Sequence, residues 1–99
     1  MIAVFVSFRN QDGVDRGVAT AIAERAREQF TGMPGLRSKA FTIDEDGREA
    51  TNVYIWDSEE AARAFFTDEL VERVTKLYGV RPSIRFADVP VLVDNASGI

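Results

Sequence analysis

The chain contains no cysteine and no histidine. Without cysteine there is no disulfide framework, no thiolate nucleophile and no thiolate metal or iron–sulfur site. Without histidine there is no Ser–His–Asp triad, no ordinary zinc site, no proximal haem ligand and no side chain that normally transfers protons near neutral pH. Chemistry must then come from carboxylates, Tyr, Lys, Arg, amides, hydroxyls or backbone, and no metal site is expected. Basic residues are also the minority: 12 Lys and Arg stand against 16 Asp and Glu, for a net charge of −4. That balance opposes nucleic acid and anionic membrane surfaces as partners. The opening MIAVFVSFRN is apolar over too short a run for a membrane span and reads as a first strand. A cytoplasmic protein is the expectation. What is present, 99 residues of which 45% are hydrophobic and 28% charged, fits one globular domain over residues 1–99.

Hydrophobic periodicity switches between two and 3.6 along the chain. Ile2, Val4, Val6 and Phe8 alternate with their neighbours as a first strand. After the Asn10–Gly13 loop, Val14, Val18, Ile22, Ala26 and Phe30 recur every four residues and predict an amphipathic helix, ended by Gly32-Met33-Pro34-Gly35. Strands are predicted over 36–43 and 49–56, joined by Asp44-Glu45-Asp46-Gly47. Asp57 with Glu60 forms a capping box for a second helix running to Tyr78, with Ser58 as the alternative cap. Thr67-Asp68 marks a kink and Gly79 the stop. A fourth strand is predicted over 80–89, extended by Val91-Leu92-Val93, with a frayed tail over 94–99. The order βαββαβ, with right-handed crossovers, gives an α+β ferredoxin-like sandwich: a four-stranded antiparallel sheet with two helices on one face.

The uncovered face of such a sheet should be polar in a monomer. Here both faces are partly apolar: Phe5 opposes Val4 and Val6, Phe41 and Ile43 oppose Leu36 and Ala40, and Val53 and Ile55 oppose Tyr54 and Trp56. The pattern allows either face to carry the helices. In both cases a homodimer, packed sheet to sheet, is the simplest cover.

Asn52, Tyr54 and Trp56 project from one face of the third strand, spanning about 13 Å. An amide, a phenol and a flat apolar plate together suit a planar, oxygenated ligand, although aromatic residues also favour strands for packing alone. The stretch from Asn52 through Trp56 and Ser58 to Ala61-Ala62 resembles the Asn-x-x-x-Trp and x-Ser-x-x-Ala of the antibiotic-biosynthesis monooxygenases, and Gly35-Leu36 after Pro34 resembles the Pro-Gly before their second strand. The closest likeness is to a small bacterial mono-oxygenase subgroup of about this length. The resemblance implies a dimeric α/β barrel with Asn52 and Trp56 lining a pocket between sheet and helices. Many members carry a histidine on the second helix where this chain has Phe65 and Phe66, so the resemblance does not extend to haem degradation. In the quinone-forming branch no metal or flavin cofactor is used; a substrate phenolate or enolate itself reduces O₂.

The expected catalytic residues are therefore Asn52, Trp56 and Tyr54, with Phe65, Phe66 and Arg85 binding substrate. Arg37 and Lys39 share a face of strand two and read as edge-strand charges or as an anion clamp. The helix carboxylates Glu59, Glu60, Asp68, Glu69 and Glu72 read as a solvated face. RNA-recognition domains share the βαββαβ order, but strand three lacks their Lys/Arg-Gly-Phe run and the pI of 4.8 opposes phosphate binding. The function expected is a cofactor-independent monooxygenase acting with O₂ on a planar aromatic or polyketide-type substrate. The alternative is a non-catalytic dimer of the same fold that binds a small apolar or aromatic molecule.

Overall fold

A computed structural model describes residues 1–95. The elements are β1 (Ile2–Arg9), α1 (Arg16–Phe30), β2 (Leu36–Ile43), β3 (Glu49–Trp56), α2 (Glu59–Phe65), α3 (Asp68–Tyr78) and β4 (Ser83–Asp88). The strands form one antiparallel sheet in the order β2-β3-β1-β4. The order βαββααβ keeps the ferredoxin-like α+β fold. Its one departure from the expected βαββαβ is that the second helix is two.

That break has a local cause. Thr67 is extended and its Oγ1 accepts from the Leu70 N–H at 3.2 Å, so it caps a new helix instead of bending the old one. The chain turns at Phe66 (φ −87°, ψ 71°), which lets the consecutive residues Phe65 and Phe66 both reach the sheet. Ser58, not Asp57, caps α2: its Oγ accepts from the Ala61 N–H at 3.1 Å. Asp57 is engaged elsewhere, pairing with Arg37 Nε at 3.2 Å. Asp15 likewise caps α1, so that helix starts at Arg16 and leaves Val14 in the loop.

The fourth strand is shorter than the predicted 80–89. Pro82 and Pro90 flank it, and neither can donate to a ladder. Val91-Leu92-Val93 does not extend it; Val91 and Val93 are about three-quarters exposed (75% and 77%). The expected fraying of 94–99 falls, for 96–99, outside the described residues. Among the described residues no helix is long and apolar enough to cross a membrane.

The helices cover the face that carries Ile2, Val4, Val6 and Phe8 of β1 and Ala50, Asn52, Tyr54 and Trp56 of β3, all buried. A bulge in β2 between Leu36 and Ser38 shifts its parity. Leu36 therefore joins Lys39, Phe41 and Ile43 on the helix side, correcting the expectation that Leu36 and Phe41 oppose each other. Neither α1 nor α3 contributes a fully buried residue. They stand off the sheet, and a cavity lies beneath them.

Candidate active site

The cavity measures about 140 Å³. Its floor is Val6, Phe8, Lys39, Phe41, Asn52, Tyr54 and Ile84 of the sheet. Its roof includes Ile22, Ala26 and Phe30 of α1, Phe65 and Phe66, and Leu70, Val74 and Tyr78 of α3. The wall is mostly aliphatic and aromatic carbon, with polar groups converging from the floor, the usual make-up of a small-molecule site.

Asn52 is 6% exposed, lines the cavity, and its side-chain amide forms no hydrogen bond with a described residue. Its amide atoms are not fully enclosed; among the described residues only Trp56 Nε1 is both fully buried and unpartnered. A ligand oxygen would satisfy the Asn52 amide. Neighbouring Tyr54 is buried too (5% exposed), with Phe66 edge-on at 4.9 Å and Phe30 and Phe65 near 6 Å. Burial, with a smaller contribution from Tyr78, raises the Tyr54 phenol well above its ordinary pKa. It is thus a hydrogen-bond donor and not a base.

Trp56 lies one layer further back. It is 2% exposed, stacks nearly parallel to Tyr54 (6.1 Å, 10°) and touches Phe65 at 5.2 Å, but does not line the cavity. Its indole Nε1–H is buried without a partner among the described residues. Gly35 explains how the ring fits: its φ is +82°, and a Cβ added there would come within 2.9 Å of Ala61 Cβ and 3.8 Å of Trp56 Cε3. The Pro-Gly before β2 thus lets α2 and the preceding loop close over the indole.

Phe65 and Phe66 both line the cavity. Arg85 does not. It pairs with Phe5 in the β1–β4 ladder, and its guanidinium lies 4.3 Å over the Phe5 ring on the opposite face of the sheet. The expectation of a substrate contact required the other strand parity.

Sequence reasoning names Lys39 only beside Arg37, as an edge-strand charge or an anion clamp, and the structure corrects their shared face. The bulge separates Lys39 from Arg37, which stays on the surface, and carries the lysine amine into the helix-side layer opposite Tyr54. Lys39 Nζ donates to Tyr54 Oη at 2.8 Å and sits 3.4, 4.4 and 4.2 Å from the ring centroids of Phe30, Phe41 and Tyr54. Burial lowers its pKa from 10.5 to about 7; the ring faces offset part of that cost in the charged form. A signal was present: Lys39-x-Phe41-x-Ile43 puts the lysine on an apolar parity.

A family model described as "Putative mono-oxygenase ydhR" matches residues 4–87. The chain belongs to this family. The match runs from β1 to β4 and so spans every site residue named above. Among solved structures, the ydhR-family chain is similar to the monooxygenase from the gene ActVA-Orf6 of Streptomyces coelicolor, in complex with the ligand nanaomycin D (TM-score 0.67, 24% identity, 96% of this chain and 92% of that one covered). It is also similar to Rv0793 of Mycobacterium tuberculosis (0.58, 16%, 97% and 98%). A third likeness is to an asparagine-to-alanine mutant of SnoaB, a cofactor-independent oxygenase of Streptomyces nogalater (0.61, 15%, 93% and 96%). These likenesses establish the fold. No curated protein matches significantly.

Proposed function

We propose that this ydhR-family chain is a homodimeric, cofactor-independent monooxygenase that oxidises a planar aromatic or polyketide-type substrate with O₂. The observation that carries the reading is the unpartnered Asn52 amide, buried in an aromatic-walled cavity beside the protonated phenol of Tyr54. Two neutral donors side by side fit an oxygen on which negative charge develops. The relatives' activities point the same way: one is a monooxygenase holding nanaomycin D, another a cofactor-independent oxygenase.

In the proposed reaction an acidic hydroxyarene or anthrone loses a proton. Asn52 and Tyr54 donate to its oxyanion, and the rings of Phe30, Phe65 and Phe66 hold it flat and exclude water. The electron-rich carbon passes electrons to O₂. For an anthrone, the ring methylene and O₂ become a ring carbonyl and water. A volume of about 140 Å³ accepts roughly one ring. A polycyclic substrate extends past Phe30 and Phe41 into the outer groove between α1 and β2, whose wall these residues share. Trp56 backs Tyr54 and sets its orientation.

The open sheet face supports the dimer. Phe5, Val53 and Ile55 are only half-buried there, and the chain exposes 6887 Å² against about 5,600 Å² for a compact protein of this mass. Val91 and Val93, exposed beyond β4, account for part of the excess.

Oxygen uptake with anthrone as substrate, in the presence of EDTA and without added cofactor, tests the function. Wild type is expected to consume O₂, and Asn52→Ala to lose a charge-assisted hydrogen bond, about 1.5–3 kcal/mol, or ten- to a hundredfold in kcat/KM. Anthrone binding without O₂ consumption overturns catalysis in favour of a binding protein. Neither binding nor uptake overturns both.

A further inference from the structure

The chain has no histidine, and no carboxylate is among the described residues that line the cavity. The reaction proposed above nevertheless starts with removal of a proton. We propose that Lys39 is the general base: its amine accepts the substrate's proton inside the cavity and returns it to solvent through the outer groove. The assignment rests on the monooxygenase reading for its substrate, but its geometry is independent of it.

Lys39 borders both spaces. With Phe30 and Phe41 it belongs to the wall between the inner cavity and the groove formed by Ala23, Glu24, Arg27 and the start of β2. A proton taken on the inner side therefore has a short route to water that does not cross the aromatic cluster. The hydrogen bond to Tyr54 fits the same role. Nζ donates to Tyr54 Oη, so the phenol's own hydrogen is free to point at a ligand oxygen. As a neutral amine, Lys39 keeps a lone pair. The substrate's C–H or O–H bond breaks, its electron pair stays on the substrate as enolate or phenolate, and a new N–H bond forms on Nζ. The resulting ammonium lies beside the new anion and stabilises it.

The surroundings favour the neutral form before substrate binds. No carboxylate forms an ion pair with Lys39 among the described residues. From α1, Glu24 and Arg27 face the groove paired to each other at 3.2 Å, and Gln29 is uncharged. From its own strand, Arg37 is paired with Asp57. From α3 come Arg73, which has no ion pair among the described residues, and the phenol of Tyr78. The segment over α2 presents Phe65 and Phe66. With no unpaired carboxylate facing it among the described residues, burial disfavours the ammonium and lowers the pKa to about 7.

The chain has two lysines, Lys39 and Lys76, so the test is direct. NMR titration of the lysine side chains in the ligand-free protein, assigned with Lys39→Met, is expected to show a Lys39 midpoint near pH 7. A midpoint near the ordinary 10.5 overturns the proposal, because the group would then be an ammonium at neutral pH. Deuterium exchange of the anthrone methylene is then followed in D₂O without oxygen. Wild type is expected to accelerate it with an inflection near that midpoint. Lys39→Met and Lys39→Arg are expected to lose on the order of a hundredfold, Arg being unable to accept a proton. Exchange at the buffer rate with wild type, or at the wild-type rate with either variant, overturns the assignment. Because exchange needs no O₂, it separates the two claims: exchange without oxygen uptake keeps the base and removes the oxygenase, and uptake that survives Lys39→Met does the reverse.

Discussion

The two faces of the sheet are built from the same strands by alternate residues, yet they have opposite characters. The helix-covered face carries Tyr54 and Trp56 in a network with Phe30, Phe65 and Phe66, each ring 5–6 Å from the next, and within it three polar groups: Asn52, Tyr54 and Lys39. The open face carries Phe5, Val53, Ile55 and Ala40 flanked by the Ser7–Thr51 hydroxyl pair at 3.1 Å and by Arg85 over Phe5. Phe5, Val53 and Ile55 are only half-buried there. The first face encloses a cavity, and the second leaves apolar side chains half-buried. Polar groups buried without full satisfaction are a cost, and they are concentrated on the face where a ligand would relieve them.

The comparison breaks most visibly at Trp56. Trp56→Ala removes the backing of the aromatic network and should destabilise the fold by about 3–5 kcal/mol, read from urea unfolding. On the other face, Val53→Asp places a carboxylate at the centre of the apolar patch. It should cost association about 2–5 kcal/mol while leaving the helix-side core intact. Light scattering should then fall from about twice 11.0 kDa to 11.0 kDa; a wild type already at the lower mass sinks the proposed dimer.

Asn52→Ala sharpens the contrast between packing and function. Removing an unpartnered buried amide should leave stability unchanged or raise it by up to about 1 kcal/mol, even as ligand binding weakens by about 1.5–3 kcal/mol. A large loss of stability would show that Asn52 serves the fold.

Lys39 adds a pH dependence. Its folded pKa of about 7 lies below the unfolded 10.5, so between these values the unfolded chain binds more protons and stability rises with pH. Wild type should gain about 1–2 kcal/mol from pH 6 to pH 9 from this group, solvent screening of the half-buried amine reducing the full value. In Lys39→Met that rise should vanish. The smallest effect is at the helix break: Thr67→Ala loses the cap of α3, about 1 kcal/mol, and loosens Phe66 over the cavity.

Periodicity located all four strands and the Asn52-x-Tyr54-x-Trp56 stripe, because alternation along a strand is a local property. The same logic failed at β2. Nothing in Leu36-Arg37-Ser38-Lys39 announces a bulge, and one inserted residue reverses the face of everything before it. A place for Arg85 in the cavity needs a register that the sequence does not show, because it depends on pairing between residues 80 apart, Phe5 with Arg85. The helix break was readable as a kink, since Thr and Asp compete for backbone hydrogen bonds, but whether a kink becomes a cap depends on what the flanking aromatics pack against.

By itself the sequence determined the element types, the fold class, the exclusion of thiol and imidazole chemistry, and the aromatic stripe with its asparagine. These follow from residue chemistry and from spacings of two to four residues. Only the tertiary structure decided which sheet face the helices cover, that Trp56 backs the cavity while Lys39 enters it, and that Asn52 is left without a partner. Each of these depends on strands and helices distant in sequence meeting in one register, and burial, which sets the chemistry of an amine, a phenol or an amide, exists only once they have met.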